Sequence, residues 1–264
     1  MNQSLGFPFL FSFLIWGCNT KSSSSDVSGY GLQKTAFTSR NVGVCWENRS
    51  KSDVELRLLR TELEQYIRTE FDRTVVRLEG WKDCTDPVPL KNEVRITWWD
   101  QGESPGLMVD GQSQIGNGAI YGPRLKPLQQ VVESKVKAAP TFALNSEAWR
   151  ENLALRGRAV TIADIKSKAL HEFGHAVGLL HEHLREDSSC DKKENVAMHM
   201  KYWSKAEEGL AAVMASIVKT KAFDADSVMN YCQLERFQAT GRVVRFSEGD
   251  IQTINQLYAA SSVR

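Results

Sequence analysis

The chain has 264 residues, 42% of them hydrophobic and 25% charged, and a formal net charge of +1. That length and apolar content suffice for one substantial core or two lobes and exclude a disordered or fibrous chain. Acidic and basic residues are interspersed rather than blocked, so no general field draws the chain to nucleic acid, and nucleic-acid binding is not expected.

Residues 1–17 differ from all that follow. The run 5–16 is almost wholly apolar, too short to span a bilayer, and ends at Gly17-Cys18. This is the shape of an export signal. Ile15-Trp16-Gly17-Cys18 resembles a bacterial lipobox, which implies lipidation at Cys18 and a cell-envelope lipoprotein. A plain secretory signal cut nearby is the other reading, since Trp16 is bulky where a small residue is usual and no Lys or Arg precedes the run. Residues 18–39, with Lys21 and four consecutive serines from Ser22, hold too few apolar side chains to pack and are expected as a flexible tether. The folded domain is then expected over 40–264.

Val42 and Val44 alternate with smaller or polar neighbours up to Trp46, a strand pattern. Ser52-Asp53-Val54-Glu55 reads as a capping box, and Leu56, Leu59, Leu63, Tyr66 and Ile67 follow at helical spacing, giving a helix to about Phe71. Strands are expected near 74–78 and over 94–98, and this β, α, β, β order suggests a mixed sheet with a helix packed on it. Residues 102–122 are glycine-rich and aperiodic, and contain no phosphate-binding G-x-x-x-x-G-K-[ST], so a surface loop or irregular hairpin is expected. A short strand over 140–145 is expected at a sheet edge, because Pro140 is tolerated only at a strand start or on an edge.

Thr161 is a good N-cap with Asp164 three residues on, and Ile162, Ile165, Ala169 and Phe173 mark the buried stripe of the helix that follows. Its last turns carry His171-Glu172-Phe173-Gly174-His175, extended to H-E-x-x-H-x-x-G-x-x-H by Gly178 and His181. His171 and His175, four apart on a helix, point the same way and can grip one zinc ion. Glu172 lies about 100° round, within reach of water on that metal as its base. A continuing helix would carry His181 about 240° away, so the chain must leave the helix, and Gly178 permits this by adopting positive φ. The plainer reading, an apolar helix that happens to carry histidines, fits poorly. Four of the five histidines lie between 171 and 183, and composition would yield the full pattern with a probability on the order of 10⁻⁵. His183 and His199 are expected to be non-ligands, since three ligands suffice for one catalytic ion. Further on, residues 206–219 read as a helix, and Ile251, Ile254 and Tyr258 suggest a terminal one.

Setting Cys18 aside leaves Cys45, Cys84, Cys190 and Cys232, an even set suited to two disulfides in an oxidising compartment. Three connectivities are possible. Cys45 with Cys84 and Cys190 with Cys232 is favoured because each pair stays within one half of the chain; four free thiols is the other reading.

Three local matches resemble the metzincin zinc endopeptidases, and among them the astacins. These are the zinc motif continued as His181-Glu182-His183-Leu184-Arg185-Glu186-Asp187, the segment Ser227-Val228-Met229-Asn230-Tyr231, and the strand Phe142-Ala143-Leu144-Asn145. Asn230 stands where astacins usually place His, and Ser188-Ser189 replace the second half of the R-x-D-R-D pattern, which suggests a divergent bacterial branch. The resemblance implies an α+β metzincin domain. Its mixed sheet has an edge strand, its N-terminal lobe carries two main helices, and a cleft separates this from a smaller irregular C-terminal lobe. It implies a Met-turn at Met229, Tyr231 as an oxyanion donor, and substrate bound along Phe142, Ala143 and Leu144. It also leaves Glu182 in need of a partner, with Arg185 or solvent as candidates. Arg236, Arg242 and Arg245 fall where the family forms its specificity wall; recognition of an acidic side chain and a merely solvated basic face are both open.

The function expected is that of an exported, monomeric zinc endopeptidase with one catalytic ion, acting on protein or peptide substrates and touching membrane only through its lipid anchor. A lipid-tethered zinc-binding adhesion module without catalysis is the rival. The intact Glu172 and Tyr231 argue against it.

Overall fold

A computed structural model describes residues 30–32, 36–47, 54–85, 92–99, 111–113, 142–145, 161–190, 217–220 and 222–259. The expected export signal, Cys18, His199 and most of the expected tether, 102–122 loop and 206–219 helix lie outside the described residues.

The N-terminal part is built on five strands. β2 (Asn41–Trp46) buries Val42, Val44 and Trp46, as its alternation requires, and runs parallel to β3 (Arg77–Asp83) and β4 (Glu93–Trp99). β4 runs parallel to β6 (Phe142–Asn145), and β5 (Gly111–Ser113) closes the sheet antiparallel to β6. The order is β3-β2-β4-β6-β5. Thus β6 is not the edge strand that its sequence suggests. It is paired on both sides, Phe142 to Ile96 and to Ser113, Leu144 to Trp98 and to Gly111, so its backbone cannot also take up a peptide. The edge belongs to β5, three residues inside the glycine-rich stretch, where no alternation of apolar residues marks a strand.

The third strand also begins later than the expected 74–78. Gly80 and Trp81 have positive φ (96° and 60°) where the register with β2 slips between Val44 and Cys45. This bulge lets Leu78 and Trp81, three residues apart, both face the core, so a search for strict alternation misses it.

α1 (Val54–Phe71) buries Leu63, Ile67 and Phe71 at intervals of four. α2 (Ile162–Ala176) starts at a capping box in which Thr161 Oγ1 accepts from the Asp164 N–H and Asp164 accepts from the Thr161 N–H. Of its expected stripe, Ala169 and Phe173 are buried and Ile165 is partly so, whereas Ile162 in the first turn is 40% exposed. Phe71 meets Phe173 edge-on at 6.0 Å and Phe246 at 5.2 Å, joining α1, α2 and the C-terminal segment in one core.

The C-terminal part holds α3 (Tyr231–Thr240) and α4 (Glu248–Ala259). β7 (Ile217–Lys219) pairs antiparallel with β1 (Tyr30–Leu32), so the expected helix over 206–219 ends in strand. Among the described residues, structure therefore reaches back to Tyr30, inside the stretch read as tether. Phe37, 3% exposed, also lies in the core. No helix among the described residues is long and apolar enough to cross a membrane.

Disulfides join Cys45 to Cys84 and Cys190 to Cys232. They close loops of 39 and 42 residues, each removing about 4 kcal/mol of loop entropy from the unfolded chain.

Candidate active site

His171 and His175 emerge from the same face of α2, and the helix ends at Ala176. Gly178 then takes φ 106°, with its N–H on the His175 carbonyl and the Leu179 N–H on the Gly174 carbonyl. This pair of bonds is a Schellman ending, which a Cβ at Gly178 would strain. The reversal brings His181 back to the helix.

His175 Nε2 and His181 Nε2 are 2.9 Å apart, and His181 Nε2 and His171 Nε2 are 3.3 Å apart. The three rings could hold one metal ion, and all three residues are buried or nearly so. Each helical ring is oriented from behind. His171 Nδ1 lies 2.9 Å from the Val228 carbonyl, and His175 Nδ1 lies 2.9 Å from the Leu179 carbonyl. Only a protonated Nδ1 can bond a carbonyl, and in a neutral ring that leaves Nε2 with its lone pair free for a metal. Burial is the largest cause holding His171 well below its ordinary value, followed by the neighbouring His175 and Lys168, so this ring is neutral. Converging lone pairs repel unless a cation sits among them. Tetrahedral zinc with bonds of about 2.0–2.1 Å separates its nitrogens by about 3.3 Å, so the donor set fits that ion.

Glu172 is 2% exposed, one residue on from His171, and Lys168 Nζ lies 3.4 Å from its Oε1, so the buried carboxylate is charge-compensated. Tyr231, the first residue of α3, places its ring 4.7 Å from that of His181 and 5.6 Å from that of His171. His183 is fully buried and stacks on Tyr231 at 4.3 Å. It stands outside the three-nitrogen cluster, as expected of a non-ligand.

Below the rings lies the turn at 227–230. Met229 is 1% exposed and packs beneath Gly174 of α2, while its carbonyl accepts the Glu182 N–H at 3.1 Å. Asn230 caps α3: its Oδ1 accepts from the Cys232 N–H at 3.1 Å and its Nδ2 donates to the Ala225 carbonyl at 3.0 Å. The departure from His at this position thus serves a helix start. Asn230 with Gln233 three residues later was the sequence signal for α3, a helix the periodicity did not reveal.

Glu182 finds its partners within the chain. Its Oε1 accepts from the Asp224 N–H at 2.9 Å and lies 3.3 Å from Arg185 Nε, so Arg185, rather than solvent, faces it. Burial pushes its carboxyl up to about 8, opposed by the Asp224 N–H and then by Arg185. Arg185 also grips Asp187 through two 2.9 Å bonds and the Thr220 carbonyl at 3.2 Å. Of the basic residues after the turn, Arg245 Nε bonds the buried Glu70 at 2.7 Å and Arg236 lies 3.2 Å from Asp226.

Residues 162–259, from α2 through α4, match the model of the astacin peptidase family. Among solved structures, one described as the structure of myroilysin is 17% identical, with 87% of this chain and 98% of that chain covered and a TM-score of 0.49. A second, the crystal structure of myroilysin, is 19% identical, with coverage of 85% and 86% and a TM-score of 0.42. No curated protein matches the chain.

Proposed function

We propose that this chain, a divergent astacin-like metzincin and zinc metalloendopeptidase, holds its metal through His171, His175 and His181 and uses Glu172 as general base and Tyr231 as oxyanion donor. The observation that carries the reading is the convergence of three imidazole nitrogens at 2.9 and 3.3 Å beside a buried carboxylate. When bound, zinc supplies a Lewis acid that acidifies water and polarises a carbonyl.

The residues divide the remaining work. Glu172 takes the proton of the attacking water and returns it to the leaving amine, and its burial shields that transfer from bulk solvent. The Tyr231 hydroxyl donates to the oxygen on which negative charge develops, and the stacked His183 keeps the phenol over the histidine cluster. Among the described residues β5 is the edge of the sheet and contacts α2, so an extended peptide adds there as a further strand across the cleft. The two disulfides support an exported enzyme. A lipid anchor at Cys18 is part of the same proposal, carried by the lipobox-like residues.

Proteolysis of mixed protein substrates by the full chain, with and without a chelator and beside Glu172→Ala, tests the reading. Activity is expected only for the wild type with metal. Equal proteolysis by both proteins would overturn the assignment of Glu172.

A further inference from the structure

The ring of His171 is oriented by the Val228 carbonyl, and the peptide unit that carries this carbonyl is itself held from behind. Its N–H is that of Met229, which donates to Ser227 Oγ at 3.0 Å. The Ser227 hydroxyl in turn donates to Asp250 Oδ1 at 2.7 Å. The path runs without a break from carboxylate to hydroxyl to amide to imidazole, and its members are all buried: Ser227 1%, Val228 0%, Met229 1%, Asp250 2% and His171 1% exposed.

Asp250 has an evident local task, which its second oxygen fulfils. Ser247 caps α4: its Oγ accepts the Asp250 N–H at 2.9 Å, and Asp250 Oδ2 accepts the Ser247 N–H at 3.1 Å. A capping box needs nothing more. Here the same carboxylate reaches out of its helix to the turn, taking the Val228 N–H on Oδ2 at 3.0 Å and the Ser227 hydroxyl on Oδ1. All three partners of Asp250 are donors, which is the environment of an ionised carboxylate. Hydrogen bonds in series polarise one another, so charge at Asp250 strengthens the Val228 carbonyl as an acceptor and raises the electron density of the His171 ring.

We infer that Asp250 and Ser227 are positioning residues for the metal, acting on His171 through the Val228–Met229 peptide. The inference rests on His171 being a metal ligand, as proposed above. Neither residue touches the metal or the substrate. Their effect is to fix the tautomer and the aim of one ligand.

Zinc affinity of the full chain, measured by competition with a chromophoric chelator, tests this. Ser227→Ala deletes a single hydroxyl and leaves Asp250 Oδ2 held by the Val228 and Ser247 N–H groups, so it is the variant less disruptive to folding. Asp250→Asn places an amide where only acceptors fit. Each is expected to weaken zinc binding about 10-fold, and the double variant no more than the weaker single one, because both cut one path. Asp224→Asn is the control, since Asp224 accepts from the Ser247 hydroxyl at 2.6 Å but lies off the path. It is expected to lower the melting temperature with zinc affinity unchanged. Ser227→Ala and Asp250→Asn that bind zinc as tightly as the wild type would overturn the relay, as would equal weakening by Asp224→Asn. A wild-type chain that binds no zinc would instead overturn the ligand assignment.

Discussion

Gly174→Ala reverses the usual sign of a helix substitution. In an exposed helix, replacing Gly by Ala stabilises by about 1 kcal/mol, because the unfolded chain loses freedom and the helix gains a better former. At position 174 the new Cβ would stand 2.6 Å from Met229 Sδ and 3.4 Å from Leu179 Cδ1. Ordinary carbon contacts lie near 3.5–4.0 Å, so the methyl is about 1 Å too close to the sulfur. Met229 has nowhere to retreat. It is 1% exposed, its carbonyl holds the Glu182 N–H, and its own N–H is held by Ser227. Overpacking of this kind costs about 1–3 kcal/mol. Set against the propensity gain of about 1 kcal/mol, the net expectation is a loss of about 0–2 kcal/mol. Displacing the turn also moves the Val228 carbonyl away from His171, so the loss should be larger with zinc present than in chelator, by mass action. Denaturant unfolding in both conditions reads these quantities. The sharpest arm places Gly174→Ala in a Met229→Ala background. With the sulfur gone the clash is absent, and the same substitution should become stabilising by up to about 1 kcal/mol. A gain of about 1 kcal/mol in the wild-type background would refute the reasoning.

Tyr231→Phe should lower kcat about 10²- to 10³-fold, with zinc affinity nearly unchanged, as steady-state kinetics and chelator competition would show. Gly178→Ala should destabilise by about 1–3 kcal/mol, because φ 106° is strained for any residue with a Cβ, and should weaken zinc binding because Gly178 sets both the Leu179 carbonyl and His181. Burial, then the charge of Asp224, raises Asp250 to about 6, above the ordinary carboxylate value. Between about pH 4 and 6 the folded chain therefore keeps a proton that the unfolded chain has released, and above 6 the carboxylate is ionised; the stability tied to this group is full below about pH 4 and lost as pH rises through 6. The window is about two units, or about 3 kcal/mol, and subtracting the pH–stability curve of Asp250→Asn from that of the wild type should isolate it.

Much of the site was legible in the sequence because its determinants are local. The i, i+4 spacing sets His171 and His175 on one face of a helix whatever surrounds it, and a Schellman ending needs only Gly178 and the bonds of the preceding turn. The capping boxes at Thr161 and Ser247 are equally local, although the second attracts notice only once its carboxylate is seen to leave the helix. Each disulfide stayed within one half of the chain, which made the pairing of Cys45 with Cys84 and of Cys190 with Cys232 accessible to a simple argument.

Tertiary structure decided what depends on residues distant in the chain. Sheet order is such a case: nothing in Phe142-Ala143-Leu144-Asn145 reveals that Gly111–Ser113 covers its open side, because strand pairing is made by backbone groups that every residue shares. The Trp81 bulge and the pairing of Tyr30–Leu32 with Ile217–Lys219 escaped for the same reason. So did the choice of Arg185 and the Asp224 N–H as partners of Glu182. The sequence alone determined which histidines converge as a possible metal-holding set, because periodicity and turn chemistry act within a few residues. Only the fold determined what aims them, because burial brings Asp250, 79 positions beyond His171 in the chain, within three hydrogen bonds of its ring.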